Sequence, residues 1–95
     1  MKYAFEPTEI LSLRLPNRFV RSATWEGLAD QEGRVTDGLI RMLSALASGG
    51  LGLIITGFAF VSAGGRALPH QTGVHRDDLA PDLARLAGAV REAGG

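Results

Sequence analysis

The stretch TDGLIRMLSALASGGLGLIIT, residues 36–56, decides the fold. It reads as a capped helix, stopped by glycine and followed at once by a strand. Thr36 stands where an N-cap hydroxyl is wanted, and Asp37 falls in the first turn, where free N–H groups favour a carboxylate. Leu39, Ile40, Leu43, Leu46 and Ala47 recur at helical spacing and form one apolar stripe. Gly49 and Gly50 end the helix where a left-handed residue is expected. Leu51 to Thr56 is then apolar without alternation, the pattern of a strand covered on both faces in a parallel sheet.

The same unit is legible on either side. Upstream, Arg18 to Trp25 begins β-prone and gives a first strand of the sheet, and Glu26 to Val35 has the Gly, Asp and charge content of a loop. Before it, Leu11, Leu13 and Leu15 alternate with Ser12 and Arg14 between Pro7 and Pro16, which predicts a short hairpin or edge ribbon. Downstream, residues 62–73 form a second Gly-rich loop. Asp77 or Asp78 is expected to cap a second helix, with Pro81 tolerated in its first turn. Leu79, Leu83, Leu86, Ala87 and Val90 are the stripe of that helix, and Gly94-Gly95 stop it.

The predicted order is hairpin, strand, helix, strand, helix, so the fold class is α/β with a parallel sheet. Two parallel strands cannot cover both faces of the second strand and both helix stripes. The chain is therefore expected to be an incomplete unit, and alone to be inactive and prone to associate.

Composition narrows the function classes. The 95 residues carry ten basic and ten acidic side chains, both signs interspersed, which argues against a nucleic-acid or anionic-membrane partner. Every basic residue except Lys2 is Arg. With no cysteine there is no disulfide, thiolate ligand or thiol nucleophile. The apolar run Leu51–Val61 is well short of the ~20 residues that span a bilayer, and no signal peptide is visible, so a cytoplasmic location is expected. His70 and His75 do not have the spacing of metal ligands on one helix face, and no metal site is expected.

Thirteen glycines invite a dinucleotide-binding reading, but the context is reversed. The phosphate-binding fingerprint follows a strand and opens a helix, whereas Gly49, Gly50 and Gly52 follow a helix and open a strand.

The segment LPNRFVRSATW, residues 15–25, resembles the L-x-N-R-[IF]-V-x-[AS]-P-M-[TC] signature that opens the barrel of Old Yellow Enzyme relatives. Further matches follow in register over essentially the whole chain. Phe5-Glu-Pro7 is similar to the family's start, residues 30–36 to its D-G-x-x-T loop, and residues 50–56 to its G-x-G-L-I-I-x-E strand. Gly65-Arg66 is similar to a Q-G-R loop, and residues 73–78 to the G-[IL]-[WY]-x-D-[ED] segment before the second helix.

The resemblance implies the N-terminal hairpin and first two βα units of a (β/α)8 TIM barrel, residues 1–95 being the N-terminal fragment of a single FMN-binding domain. It further implies an NAD(P)H oxidoreductase, with NADH or NADPH as hydride donor. The acceptor would be an electron-poor small molecule such as one with an activated C=C bond. Cofactor contacts carry over to Ser22, Ala23, Thr24 and Trp25 after the first barrel strand, and to Gly57 and Phe58 after the second. Both lie at carboxyl strand ends, where barrel sites are built. No catalytic acid or nucleophile is assigned within these residues.

The sequence departs from the family at several of these points. Its Pro is Ala23, its Met or Leu is Thr24, and its redox-tuning Thr or Cys is Trp25. Its Glu after the second strand is Gly57, followed by Phe58 in place of a small residue, and a tyrosine found in some members is Gly27.

The remaining polar residues have plainer readings. Asn17 and Arg18 either form a turn leading into the strand or support the cofactor. Glu26 and Asp30 read as solvated loop charges, and His75 as a packing residue. Arg66 reads as fixing its loop, with a phosphate or carboxylate contact the alternative. The rival function is a non-catalytic interaction or oligomerisation piece that pairs through its apolar faces.

Overall fold

The computed structural model describes residues 2–95. A single 3-10 turn, Lys2–Phe5, leads into β1 (Thr8–Ile10) and β2 (Leu13–Leu15). These pair antiparallel, Thr8 opposite Leu15 and Ile10 opposite Leu13. The predicted ribbon is present but shorter than the leucine alternation suggested. Leu11 lies in the two-residue turn with φ of +54° and is 95% exposed. A turn this tight needs a left-handed residue, and that requirement takes Leu11 out of the strand.

The deciding unit forms as the sequence indicates. β3 (Val20–Arg21), α1 (Asp37–Ser48) and β4 (Leu53–Ile54) make a parallel pair joined by a helical crossover, with Val20 opposite Leu53 and Arg21 opposite Ile54. The Thr36 hydroxyl accepts from the Leu39 amide at 3.2 Å, and Gly50, at φ of +98°, closes the helix. α2 (Ala80–Glu92) follows a 3-10 turn at Asp77–Leu79. α1 and α2 face each other across the core. Val35, Leu39, Leu43 and Leu86 are buried there, with Leu46, Ile54, Leu83 and Val90 packed around them.

Two expectations need correction. Neither Asp77 nor Asp78 caps the second helix, whose preceding residues make no side-chain cap bond. Asp78 is taken instead by Arg34 at 2.8 Å and Arg76 at 3.0 Å, charged donors that outbid a backbone amide. The run Leu51–Thr56 was expected to be buried on both faces, yet only Leu53–Ile54 is ladder-paired and Ile55 is exposed. Among the described residues β4 is hydrogen-bonded along one edge only. The radius of gyration, 14.3 Å, exceeds the about 12 Å of a compact domain this size, consistent with faces left open.

At the amino ends of the parallel strands, Asn17 closes the sheet. Its Nδ2 donates to Gly50 O at 2.6 Å, and its Oδ1 accepts from the Phe19 amide at 3.0 Å. A Cβ on Gly52 would overlap the Asn17 carbonyl. The glycine-rich start of the strand thus serves close backbone approach rather than phosphate binding. Asn17 is a structural clip, at the end of the strands opposite to the site described next.

Candidate functional site at the carboxyl ends of the parallel strands

Because β3 and β4 run parallel, the segments that follow them emerge side by side. An added Cβ on Gly57 would lie 2.6 Å from Thr24 O and 3.0 Å from Trp25 Cα. Gly57 of the second candidate patch thus abuts Thr24 and Trp25 of the first. The last ladder bond runs from the Ile55 amide to Arg21 O at 3.0 Å. Beyond it, among the described residues, the amides of Ala23, Thr24, Trp25 and Phe58 donate to no protein acceptor. Trp25 and Phe58 expose 45% and 47% of their surface, and the Thr24 hydroxyl is turned back onto Ser22 O at 3.0 Å. Free N–H donors flanked by half-exposed aromatic faces suit a planar, acceptor-rich ligand.

The residue that sequence reasoning missed is Glu26. Expected as a solvated loop charge, its side chain is only 5% exposed and points back under the strand ends. Its Oε2 accepts from the Gly57 amide at 2.8 Å and faces Arg21 Nη1 at 3.9 Å. Arg21 is also largely buried, at 15%, and Nη1 has no hydrogen-bond partner. An added Cβ on Gly57 would come within 2.5 Å of Glu26 Oε1. The carboxylate of residue 26 therefore fills space that a side chain at 57 would need. The available signal was the pairing of a glycine, where the related pattern has glutamate, with a glutamate just beyond the other strand end.

Above the strand ends the two long loops lock together. Asp30, also read as a solvated charge, accepts from the Glu32 and Arg34 amides at 2.8 and 2.9 Å and so shapes its own loop. Gly73 N donates to Gly33 O, and Phe60 pairs with Gly73 in a single parallel bridge. His75 packs on Phe60 with ring centroids 4.6 Å apart, the packing role expected of it. His70 Nδ1 lies 2.9 Å from Ala29 O. Arg66 fixes its loop through Leu68 O at 3.2 Å and Gln31 O, and lies over the Phe60 ring. Buried Gln71 accepts from the Ala67 and Leu68 amides. The described residues contain no group of three or more His, Cys, Asp or Glu placed to hold a metal. Among the described residues no helix is long and apolar enough to cross a membrane.

The parallel strand–helix–strand unit opened by a hairpin is of the α/β class, and its candidate residues lie at the carboxyl strand ends, where barrel sites are built. The chain belongs to the NADH:flavin oxidoreductase / NADH oxidase family, whose model matches residues 4–95. It is 38% identical to the 4,4'-dithiodibutanoate disulfide reductase of Rhodococcus erythropolis over 96 residues, covering 95% of this chain and 22% of the relative. Among solved structures, a 2-naphthoyl-CoA reductase complex superposes with a TM-score of 0.94 at 26% identity, over 99% of this chain and 14% of that one. An Old Yellow Enzyme from Pichia sp. superposes with a TM-score of 0.89 at 21% identity, over 97% of this chain and 24% of that one. The chain thus spans about a fifth of the length of the curated relative it matches. The family is one of FMN-using oxidoreductases, so the flavin expected from the sequence is the cofactor of its relatives.

Proposed function

We propose that these residues are the opening part of a single FMN-binding barrel domain and that Ser22–Trp25 with Gly57-Phe58 contact the flavin ring. The observation that carries this reading is the meeting of the two patches at the carboxyl strand ends, with N–H donors that face no protein acceptor. The length of the relatives and the apolar groove between Leu43, Leu53, Leu83, Leu86 and Val90 support a further βα unit packing there.

FMN, when bound, would supply hydride acceptance from NADH or NADPH and delivery to an electron-poor acceptor. The residues of this chain then have defined tasks. The Ala23, Thr24, Trp25 and Phe58 amides would be the donors that hold acceptor atoms of the ring. Trp25 and Phe58, half-exposed, would offer aromatic surface to the ring and exclude water from it. The substrate is a small molecule, either an activated alkene or, by analogy with the Rhodococcus relative, a disulfide.

The test is the visible spectrum of the purified full-length gene product, the identity of the flavin it releases, and anaerobic bleaching by NADH or NADPH. A flavin spectrum bleached by either nucleotide is expected. A protein that stays colourless after FMN is added overturns the reading and favours an interaction piece.

A further inference from the structure

We propose that Glu26 is a positioning residue, which couples the two strand ends and sets the charge beneath the ligand surface. This deepens the flavin reading and rests on it. Among the described residues Glu26 is the carboxylate that touches both halves of the candidate site. Its backbone continues the Ser22–Trp25 patch, while its Oε2 holds the amide of Gly57 in the other patch at 2.8 Å. The space it fills is open only because residue 57 has no side chain. A glycine there would otherwise leave a gap and a loose strand end. With the carboxylate inserted, the Gly57 amide has its acceptor, and the adjacent Phe58 amide donates to no protein acceptor among the described residues.

The partner charge gives the second half of the proposal. Arg21 Nη1 is buried, makes no hydrogen bond and sits 3.9 Å from Glu26 Oε2. A guanidinium in so little water exerts its field over a longer range than an exposed one. Glu26 offsets that field. Neutralising Glu26 while keeping its shape leaves a net positive charge under the site, and negative charge on a reduced flavin is then stabilised.

The two roles separate in two variants of the full-length protein. Glu26→Gln keeps an oxygen for the Gly57 amide and removes the charge. Glu26→Ala removes both. Hydrogen exchange is followed in the peptide spanning residues 55–60, together with FMN affinity and the flavin reduction potential. In Glu26→Ala the peptide is expected to lose protection, and the FMN Kd to rise by about tenfold. In Glu26→Gln protection and affinity are retained, and the potential moves in the positive direction.

Wild-type affinity and potential in both variants would overturn the proposal. If Glu26→Ala does not fold, an unchanged potential in Glu26→Gln does so alone. If the wild-type protein takes up no flavin, the flavin reading fails. The coupling is then judged by exchange, and unchanged protection of residues 55–60 in Glu26→Ala refutes it.

Discussion

The Glu26 carboxylate accepts the Gly57 amide at 2.8 Å, across the carboxyl ends of two parallel strands and a sequence separation of 31 residues. The bond joins a loop that follows β3 to the backbone that follows β4, so it ties the strand pair beyond its last ladder bond. Removing the carboxylate leaves Arg21 buried without a counter-charge. Glu26→Ala is therefore expected to destabilise the protein by about 3 kcal/mol, the low end for breaking a buried pair. The urea midpoint of the full-length protein checks it, and Glu26→Gln should lose less.

Trp25 is the largest exposed aromatic at the strand ends, and its ring also lies over Gly27, whose added Cβ would be 3.2 Å from it. Trp25→Ala removes a stacking surface without opening the core. The expected outcome is about a tenfold weaker FMN complex, in line with ~1–1.5 kcal/mol for an aromatic pair, with the unfolding midpoint little changed. Fluorescence titration of apoprotein with FMN measures the first quantity.

Asn17 acts at the opposite end of the same strands. Asn17→Ala forfeits the bonds to Gly50 O and the Phe19 amide and is expected to cost about 1–2 kcal/mol of stability. FMN affinity should stay at the wild-type value. A large loss of affinity at full stability would instead place Asn17 in cofactor support.

Gly33 has a φ of +87°, and a Cβ there would stand 2.8 Å from Phe60 Cζ and 2.9 Å from Gly73 N. Gly33→Ala combines backbone strain with overpacking of the contact that locks the two loops. A loss of about 2 kcal/mol is expected in thermal or urea unfolding.

Arg34 reaches Asp78 at 2.8 Å and Asp82 at 3.3 Å, pinning the loop after β3 to the start of α2. A third of its side chain is exposed, so solvent screens these pairs. Arg34→Ala is expected to cost about 1 kcal/mol at low salt, and less near 1 M, where the Debye length is ~3 Å. Unfolding midpoints at the two ionic strengths measure the difference.

The elements that local chemistry specifies were legible. Thr36, the stripe from Leu39 to Ala47 and the glycine stop encode α1, and an apolar run without alternation after it encodes a parallel strand. The hairpin was legible as a ribbon, but its register was not, because Leu11 has the same period as Leu13 and Leu15. Only the turn geometry removes it from the strand. The acidic residues were the poorest part of the reading. Glu26, Asp30 and Asp78 all lie in stretches that look solvated. Glu26 and Asp78 are committed to partners that sequence distance conceals, the Gly57 amide and Arg34, whereas Asp30 is taken by the amides of Glu32 and Arg34 in its own loop.

Sequence by itself determined the strand–helix–strand order, because helix caps, apolar periods and glycine positions act over a few residues; the family, and with it the two candidate patches, came from the motif resemblance that begins at residues 15–25. Tertiary structure alone decided that the patches are adjacent and that Glu26 lies beneath them. Parallel pairing brings carboxyl ends together through a crossover of some thirty residues. A buried carboxylate can be recognised only once the amide and guanidinium that satisfy it have been placed around it.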